Sequence, residues 1–208
     1  MIITKIEVQK KNKQRANLYL DGEFYCGLSC ELVVKNRLKE GSEVNTSFVD
    51  SLKNDAEKDI ALSKTLNFIS KSQKTQKQIK DYLTKKGFED TIINYVLQKL
   101  EEYNFVNDEE YAKNFVKYKT KSSGKRKILM ELKQRGVRED LAKNSVESFS
   151  KDEENIYNVA EKYLKSKERD FKTKQKAFRF LLSKGYESEN ILACLNKFFK
   201  EEDDEGWN

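Results

Sequence analysis

Two hydrophobic periods divide the chain. Over the first 27 residues apolar and polar positions alternate. Ile2, Ile3, Ile6 and Val8 make a strand-like run, and Lys10-Lys11-Asn12-Lys13 a polar turn. Ala16, Leu18 and Leu20 alternate with Asn17 and Tyr19, the pattern of a half-buried strand. Asp21-Gly22 is a hairpin signal, and Phe24-Tyr25-Cys26 predicts a third short strand. Ser29 is placed to cap a helix running through Leu38, with Gly41 as its terminator, and Asn45 or Thr46 opens another helical stretch.

Beyond about residue 57 the period becomes helical, and one unit is written three times. The triplets Lys86-Gly87-Phe88, Arg135-Gly136-Val137 and Lys184-Gly185-Tyr186 recur at intervals of 49 residues. Four positions before each glycine stand Leu83, Leu132 and Leu181; eight before stand Ile79, Ile128 and Ala177. Twelve before stand Thr75, Gly124 and Thr173, and thirteen after stand Leu100, Phe149 and Phe198. Such a period marks a repeat array.

Each unit reads as three helices. The first helix carries Ile60, Ala61, Leu62, Leu66 and Ile69, then Tyr111, Ala112, Phe115 and Val116, then Ile156, Val159, Ala160, Tyr163 and Leu164. The second carries Ile79, Tyr82 and Leu83, then Ile128, Leu129 and Leu132, then Ala177, Phe178 and Leu181. The third carries Ile92, Ile93, Val96, Leu97 and Leu100, then Leu141, Val146 and Phe149, then Ile191, Leu192, Leu195 and Phe198. Thr75 with Gln78 forms a capping-box pattern. Gly87, Gly136 and Gly185 are expected as left-handed C-caps that stop the second helix and turn the chain back. Tyr82, Tyr103, Phe105, Phe115 and Phe180 sit at helical spacing and read as core. The fold expected is therefore mostly α. A short N-terminal β-hairpin region with short helices (1–56) precedes three tandem three-helix repeats (57–106, 107–150, 151–200) and an acidic tail (201–208). Repeats that bury their faces by stacking give an elongated, curved array.

Composition narrows the class. The chain has no proline and 8 glycines, too few turn formers for a loop-rich or all-β protein. No apolar run approaches the roughly 18 residues that span a bilayer, and the start lacks the order of a signal peptide. The expectation is a cytoplasmic monomer without a membrane partner. Cys26, Cys30 and Cys194 lack metal-site spacing and read as free, mostly buried thiols. Histidine is absent, which removes the usual general base near neutral pH. No phosphate-binding glycine loop appears, so neither a cofactor nor an enzyme is expected. Asp108-Glu109-Glu110 reads as favourable charge at a helix start rather than a metal site.

Charge is the remaining signal. The net charge is +6, and the middle repeat is the most basic. From Tyr111 to Met130 there is no acidic residue, while Lys113, Lys117, Lys119, Lys121, Lys125, Arg126 and Lys127 fall in that window, with Lys133 and Arg135 just beyond. The first repeat places Lys64, Lys71, Lys74, Lys77 and Lys80 at the equivalent turn, the third Lys172, Lys174, Lys176, Arg179 and Lys184. Cations at a helix start oppose its dipole by a few tenths of a kcal/mol each. A lysine-rich protein also places lysines on every solvated face, and that reading competes most strongly in repeats one and three. The alternative is contact with an anion, either nucleic-acid phosphate or an acidic protein surface. Tyr118 is the one aromatic in the second patch, so neither base stacking nor sequence-specific readout is expected. The turn between the first and second helices of repeat two, being polar, is expected to project.

The arrangement resembles the RecX family, bacterial regulators of the RecA recombinase, over nearly the whole chain. The resemblance is carried by Ile3-Thr4-Lys5-Ile6-Glu7-Val8-Gln9-Lys10, by Gln78 through Phe88, and by Leu100 through Phe115, including Tyr103-Asn104-Phe105-Val106-Asn107-Asp108-Glu109-Glu110-Tyr111-Ala112. Ser70-Lys71-Ser72-Gln73 departs from the Arg-Pro-Arg-like turn common in relatives. The resemblance implies a non-enzymatic modulator that binds the groove of the RecA–single-stranded DNA filament and suppresses strand exchange and ATP hydrolysis. It would act in recombination, repair and SOS control, with sequence-nonspecific contact to single- or double-stranded DNA. A general nucleic-acid-binding repeat protein without a protein partner, and a pure protein scaffold, are the rival readings. A stacked array should show a radius of gyration in small-angle scattering clearly above the roughly 17 Å of a compact globule of this length; a value near 17 Å would count against it.

Overall fold

The computed structural model describes residues 1–148 and 152–199. Phe149, the divisions expected at 150/151 and 200/201 and the acidic tail from Glu201 to Glu205 lie outside the described residues. Three strands, β1 (Ile3–Val8), β2 (Arg15–Leu20) and β3 (Glu23–Ser29), form an antiparallel meander in that order. The register sets Ile6 opposite Leu18 and Leu18 opposite Cys26. Because side chains alternate across the pleat, Ala16, Leu18 and Leu20 all face inward, as their spacing predicts. They pack with Ile3, Leu28 and Leu32 against Val49, Leu52 and Ala56 of α2 (Thr46–Ile69).

Ser29 caps α1 (Cys30–Lys35) by accepting from the Leu32 N–H. The helix stops at Lys35 and does not run through Leu38. Its terminator is Arg37, at φ 51°, whose N–H donates to the Val34 carbonyl while the Leu38 N–H donates to Val33. Gly41 is instead a turn residue whose N–H donates to the Ile3 carbonyl of β1. Asn45 caps α2 through the Phe48 N–H. That helix runs unbroken for 24 residues, so the division expected at 56/57 falls inside it. Its inward face is also not fully the predicted one. Leu66 is exposed, and Thr65 is buried instead, its hydroxyl donating to the Ala61 carbonyl.

The remaining helices are α3 (Gln76–Lys85), α4 (Asp90–Glu102), α5 (Asp108–Lys119), α6 (Lys125–Gln134), α7 (Glu139–Glu147), α8 (Asp152–Leu164), α9 (Phe171–Ser183) and α10 (Ser188–Phe198). The chain divides into two compact units: residues 1–73 with 79–105, and residues 74–78 with the chain from Val106 onward. In the first unit Ile79 and Leu83 of α3 and Ile92, Ile93, Val96 and Leu100 of α4 are buried, and Phe68 stacks on Tyr82 at 4.2 Å. In the second, Tyr111, Ala112, Val116, Ile128, Leu132, Val137, Ala142 and Val146 form one core. Ile156, Ala160, Leu164, Ala177, Leu181, Tyr186, Ile191 and Leu195 belong to another.

The three predicted glycine caps are realised with one geometry. Gly87, Gly136 and Gly185 take φ 82°, 86° and 88°. Each glycine N–H donates three residues back, to Thr84, Lys133 and Leu182. The following Phe88, Val137 and Tyr186 N–H groups donate five back, to Leu83, Leu132 and Leu181. This paired closure satisfies carbonyls that the helix end would otherwise leave open. Asn104, at φ 54°, ends α4 in the same way, with Phe105 N–H on the Leu100 carbonyl. That turn carries Tyr103 and Phe105 outward, 66% and 59% exposed, so the expectation of core positions fails for both.

Two of these caps receive another helix. In the second unit the Thr75 hydroxyl accepts from the Gln78 N–H, with Gln78 Oε1 accepting from the Thr75 N–H, which is the predicted capping box. The same hydroxyl donates to the Arg135 carbonyl at 2.6 Å. At the start of α6 the Gly124 N–H donates to the Lys184 carbonyl (2.9 Å) and the Arg126 N–H to that of Gly185 (3.2 Å). A Cβ on Gly124 would lie 2.4 Å from the Gly185 oxygen, so only glycine permits this approach. Thr120, Ser123 and Gly124 are consequently buried, and the turn between α5 and α6 is docked rather than projecting, with only Lys121 and Ser122 at its exposed crest. In repeat three, Asp170 caps α9 through the Thr173 N–H. The helix therefore starts with Phe171, ahead of the equivalents of Gln76 and Lys125.

A Cβ at Gly87 would meet nothing within 4 Å, whereas one at Gly136 would lie 2.3 Å from Lys77 Cβ. Gly87→Ala should therefore cost about 1–2 kcal/mol for its left-handed backbone alone. Gly136→Val should cost more than that in urea or thermal unfolding. Unchanged stability in Gly136→Val would remove the cap and its contact with Lys77 as stabilising features.

Candidate anion-contacting surface

Helix electrostatics separate the helix starts into two groups. The first turns of α4, α5, α7 and α10 carry Asp90; Asp108, Glu109 and Glu110; Glu139 and Asp140; and Glu189. Those of α3, α6 and α9 carry no acid at all. The sequence thus follows the dipole rule at those four starts and departs from it at α3 and α6, while α9 carries its one acid at the cap, Asp170. The acids in the first turn of α5 sit where its dipole favours negative charge, and Asp108 also serves the start of α3. Asn107 accepts from the Glu109 and Glu110 N–H groups, and Asp108 accepts from the Gln76 N–H within the second unit.

Side-chain partners then sort the cations. Lys113 pairs with Glu109 at 2.6 Å, Lys133 with Glu139 at 2.9 Å and Lys80 with Asp90 at 3.5 Å. Lys119 is half-buried, pairs with Glu131 at 2.8 Å and lies over the Phe115 ring. Arg135 is a packing residue. Its guanidinium lies 4.8 Å from the Phe115 centroid and donates to the Tyr111 hydroxyl, while its carbonyl receives Thr75. Arg126 reaches Glu187 at 3.9 Å. Lys77 donates to the Gln134 carbonyl, and the Lys127 stem fills the space against Gly185. Lys74 and Lys125 are half-buried at the starts of their helices. By contrast, Lys117, Lys121, Lys172, Lys174, Lys176 and Arg179 make no ion pair among the described residues. The unneutralised cations thus gather in repeat three at least as much as in repeat two, where the acid-free window had pointed.

The structure also turns two apolar groups outward, of which the periodicity had assigned Leu192 inward. Leu192 is 49% exposed, and Phe171, seven residues before Phe178 on one face of α9, is 75% exposed. The sequence signal for Phe171 was that spacing; for Leu192 the stripe was simply wider than the buried strip. Cys26 and Cys30 are half-buried and Cys194 buried; all three are free. Burial pushes the Cys26 and Cys194 thiols up from their ordinary value. Among the described residues no three His, Cys, Asp or Glu side chains gather to hold a metal, and no helix is long and apolar enough to cross a membrane.

Comparison with known proteins fits this architecture. The RecX regulatory-protein N-terminal domain matches residues 1–45, and the first, second and third RecX three-helix domains match residues 61–100, 107–145 and 151–195. The chain belongs to the RecX family. It is 39% identical over 204 residues to the regulatory protein RecX of Clostridium tetani, covering 94% of this chain and 93% of that one. The Clostridium perfringens (strain SM101) protein of the same name is 38% identical over 190 residues, 88% and 90% of the two chains. A crystal structure of regulatory protein RecX superposes with a TM-score of 0.72 at 24% identity, covering 93% and 98%. That of RecX from Lactobacillus salivarius gives 0.61 at 21%, covering 68% and 96%. The two structures bear on the fold; the sequence relatives establish the family.

The pairing of Lys133 has a titratable signature. Hydrogen bonds from Lys143 and Lys133 hold the Glu139 carboxyl down to about 2 from 4.5. A depressed folded value means that these pairs contribute above about pH 4.5 and are lost as pH falls through about 2. In an NMR titration Glu139 should titrate well below its neighbours, and Lys143→Gln should bring it back toward 4.5.

Proposed function

We propose that this protein modulates the RecA recombinase without catalysis of its own, binding the RecA–single-stranded DNA filament along its groove and suppressing strand exchange and ATP hydrolysis. On this reading it acts in the cytoplasm, as a monomer, in recombination, repair and SOS control. Family membership supplies the regulatory role, since the relatives are named regulatory proteins. The observation that carries the binding reading is the set of cations without ion pairs among the described residues, Lys172, Lys174, Lys176 and Arg179 on α9 with Lys117 and Lys121 at the end of α5 and in the turn after it, against acids correctly placed at the starts of α4, α5, α7 and α10. Leaving such charges unneutralised contributes nothing to stability and suits phosphate or acidic side chains supplied by a partner.

The test changes Lys117, Lys121, Lys172 and Lys176 together to Gln. Helix content and melting temperature should hold, because all four are exposed. Suppression of RecA ATPase on single-stranded DNA should weaken. If the contacts are to phosphate, the log–log salt slope of binding should flatten by about 0.7 for each lost contact. Unaltered suppression with an unaltered slope would overturn the proposal in favour of a scaffold. Equal binding to naked DNA and to the filament would favour a general nucleic-acid binder.

A further inference from the structure

A groove of about 380 Å³ lies between α9 and α10, lined by Phe171, Lys174, Gln175, Phe178, Arg179 and Leu192 and floored by Leu195. Its chemistry is mixed. Phe171 and Leu192 leave large apolar surfaces open to solvent, and Lys174 and Arg179 stand on the same helix without ion pairs among the described residues. A ligand that fits must offer an apolar group and several negative charges on one short segment.

The chain itself carries such a segment. After Phe199 and Lys200 come Glu201-Glu202-Asp203-Asp204-Glu205-Gly206-Trp207, with the sole tryptophan of the protein. We propose that this acidic segment docks in the α9–α10 groove, with the Trp207 indole against Phe171, Phe178 and Leu192 and carboxylates facing Lys174 and Arg179. The point of departure favours it. Phe199 is buried in the repeat-three core, and the Arg169 guanidinium lies 5.8 Å from the centroids of both Phe198 and Phe199. Arg169 immediately precedes Asp170 and Phe171, which sets Phe199, the last described residue, near the start of α9 and so near the Phe171 end of the groove. The length is sufficient. Eight residues reach at most about 27 Å when extended, whereas Phe171 to Arg179 spans about 12 Å of helix.

Docking would make the segment a competitor for Lys174 and Arg179, so an incoming polyanion would have to displace it. The inference concerns the free protein and is independent of RecA. Trp207 reports on it directly, because selective excitation sees no other indole. In the unaltered protein its emission should be blue-shifted relative to N-acetyltryptophanamide and shielded from acrylamide, with both signals independent of protein concentration. Leu192→Glu should return both to the free-indole values, as should the paired Lys174→Glu and Arg179→Glu changes. The charge-reversal pair serves as the second arm, with circular dichroism confirming the fold. Free-indole emission in the unaltered protein would overturn the assignment. So would a blue shift that survives both groove variants, since the indole would then sit elsewhere. A shift that grows with protein concentration would assign the contact to a second copy, and the intramolecular proposal would fall.

Discussion

The architecture rests on a left-handed residue two positions beyond a helix. A second helix that simply frayed would leave its last carbonyls open and its third helix unaimed. Gly87, Gly136 and Gly185 close those carbonyls in pairs, using Leu83, Leu132 and Leu181 both as buried side chains and as backbone acceptors. One residue type thus fixes the helix end, the chain reversal and the depth at which the leucine is buried. In the second unit the caps do more. The Arg135 carbonyl accepts the Thr75 hydroxyl, and the Lys184 and Gly185 carbonyls accept backbone N–H groups from the start of α6. Helix ends, which are polar and costly to bury alone, become mutually satisfying when one start meets one end.

That docking constrains the side chains around it. Gly124 has no room for a Cβ, and Lys77 and Lys127 lay their aliphatic stems against Gly136 and Gly185. These lysines are therefore partly packing residues, which a count of charge alone does not reveal. Repeat three ends the pattern, because Asp170 starts α9 early and Thr173 is no longer a cap but the recipient of one. The same early start brings Phe171 to the surface and opens the groove with Lys174, Arg179 and Leu192.

Electrostatics here is a matter of what is left over. Exposed pairs such as Lys113–Glu109 and Lys133–Glu139 add little to stability, but they withdraw those cations from any ligand. Lys119 is withdrawn more firmly, between Glu131 and the Phe115 ring. Of the candidate cations, those without an ion pair among the described residues stand at the end of α5, in the turn after it, and on α9, in a family whose members are named regulatory proteins.

The sequence alone determined the helical class, the N-terminal meander and the three caps. Each depends on local rules: the two-residue pleat, the 3.6-residue stripe, and the cost of a positive φ for any residue with a Cβ. It also determined the Thr75–Gln78 box, which closes within four residues. Local rules misled where another residue could do the same work. Arg37 and Asn104 took left-handed conformations expected of glycine, which shortened α1 and turned Tyr103 and Phe105 outward. Only the tertiary structure decided which lysines were neutralised, because Lys119 meets Glu131 and Arg126 meets Glu187 across twelve or more residues. It alone sank the α5–α6 turn, since the acceptors of the Gly124 and Arg126 N–H groups at the start of α6 lie some sixty residues away, on a helix end that no local pattern in that turn announces.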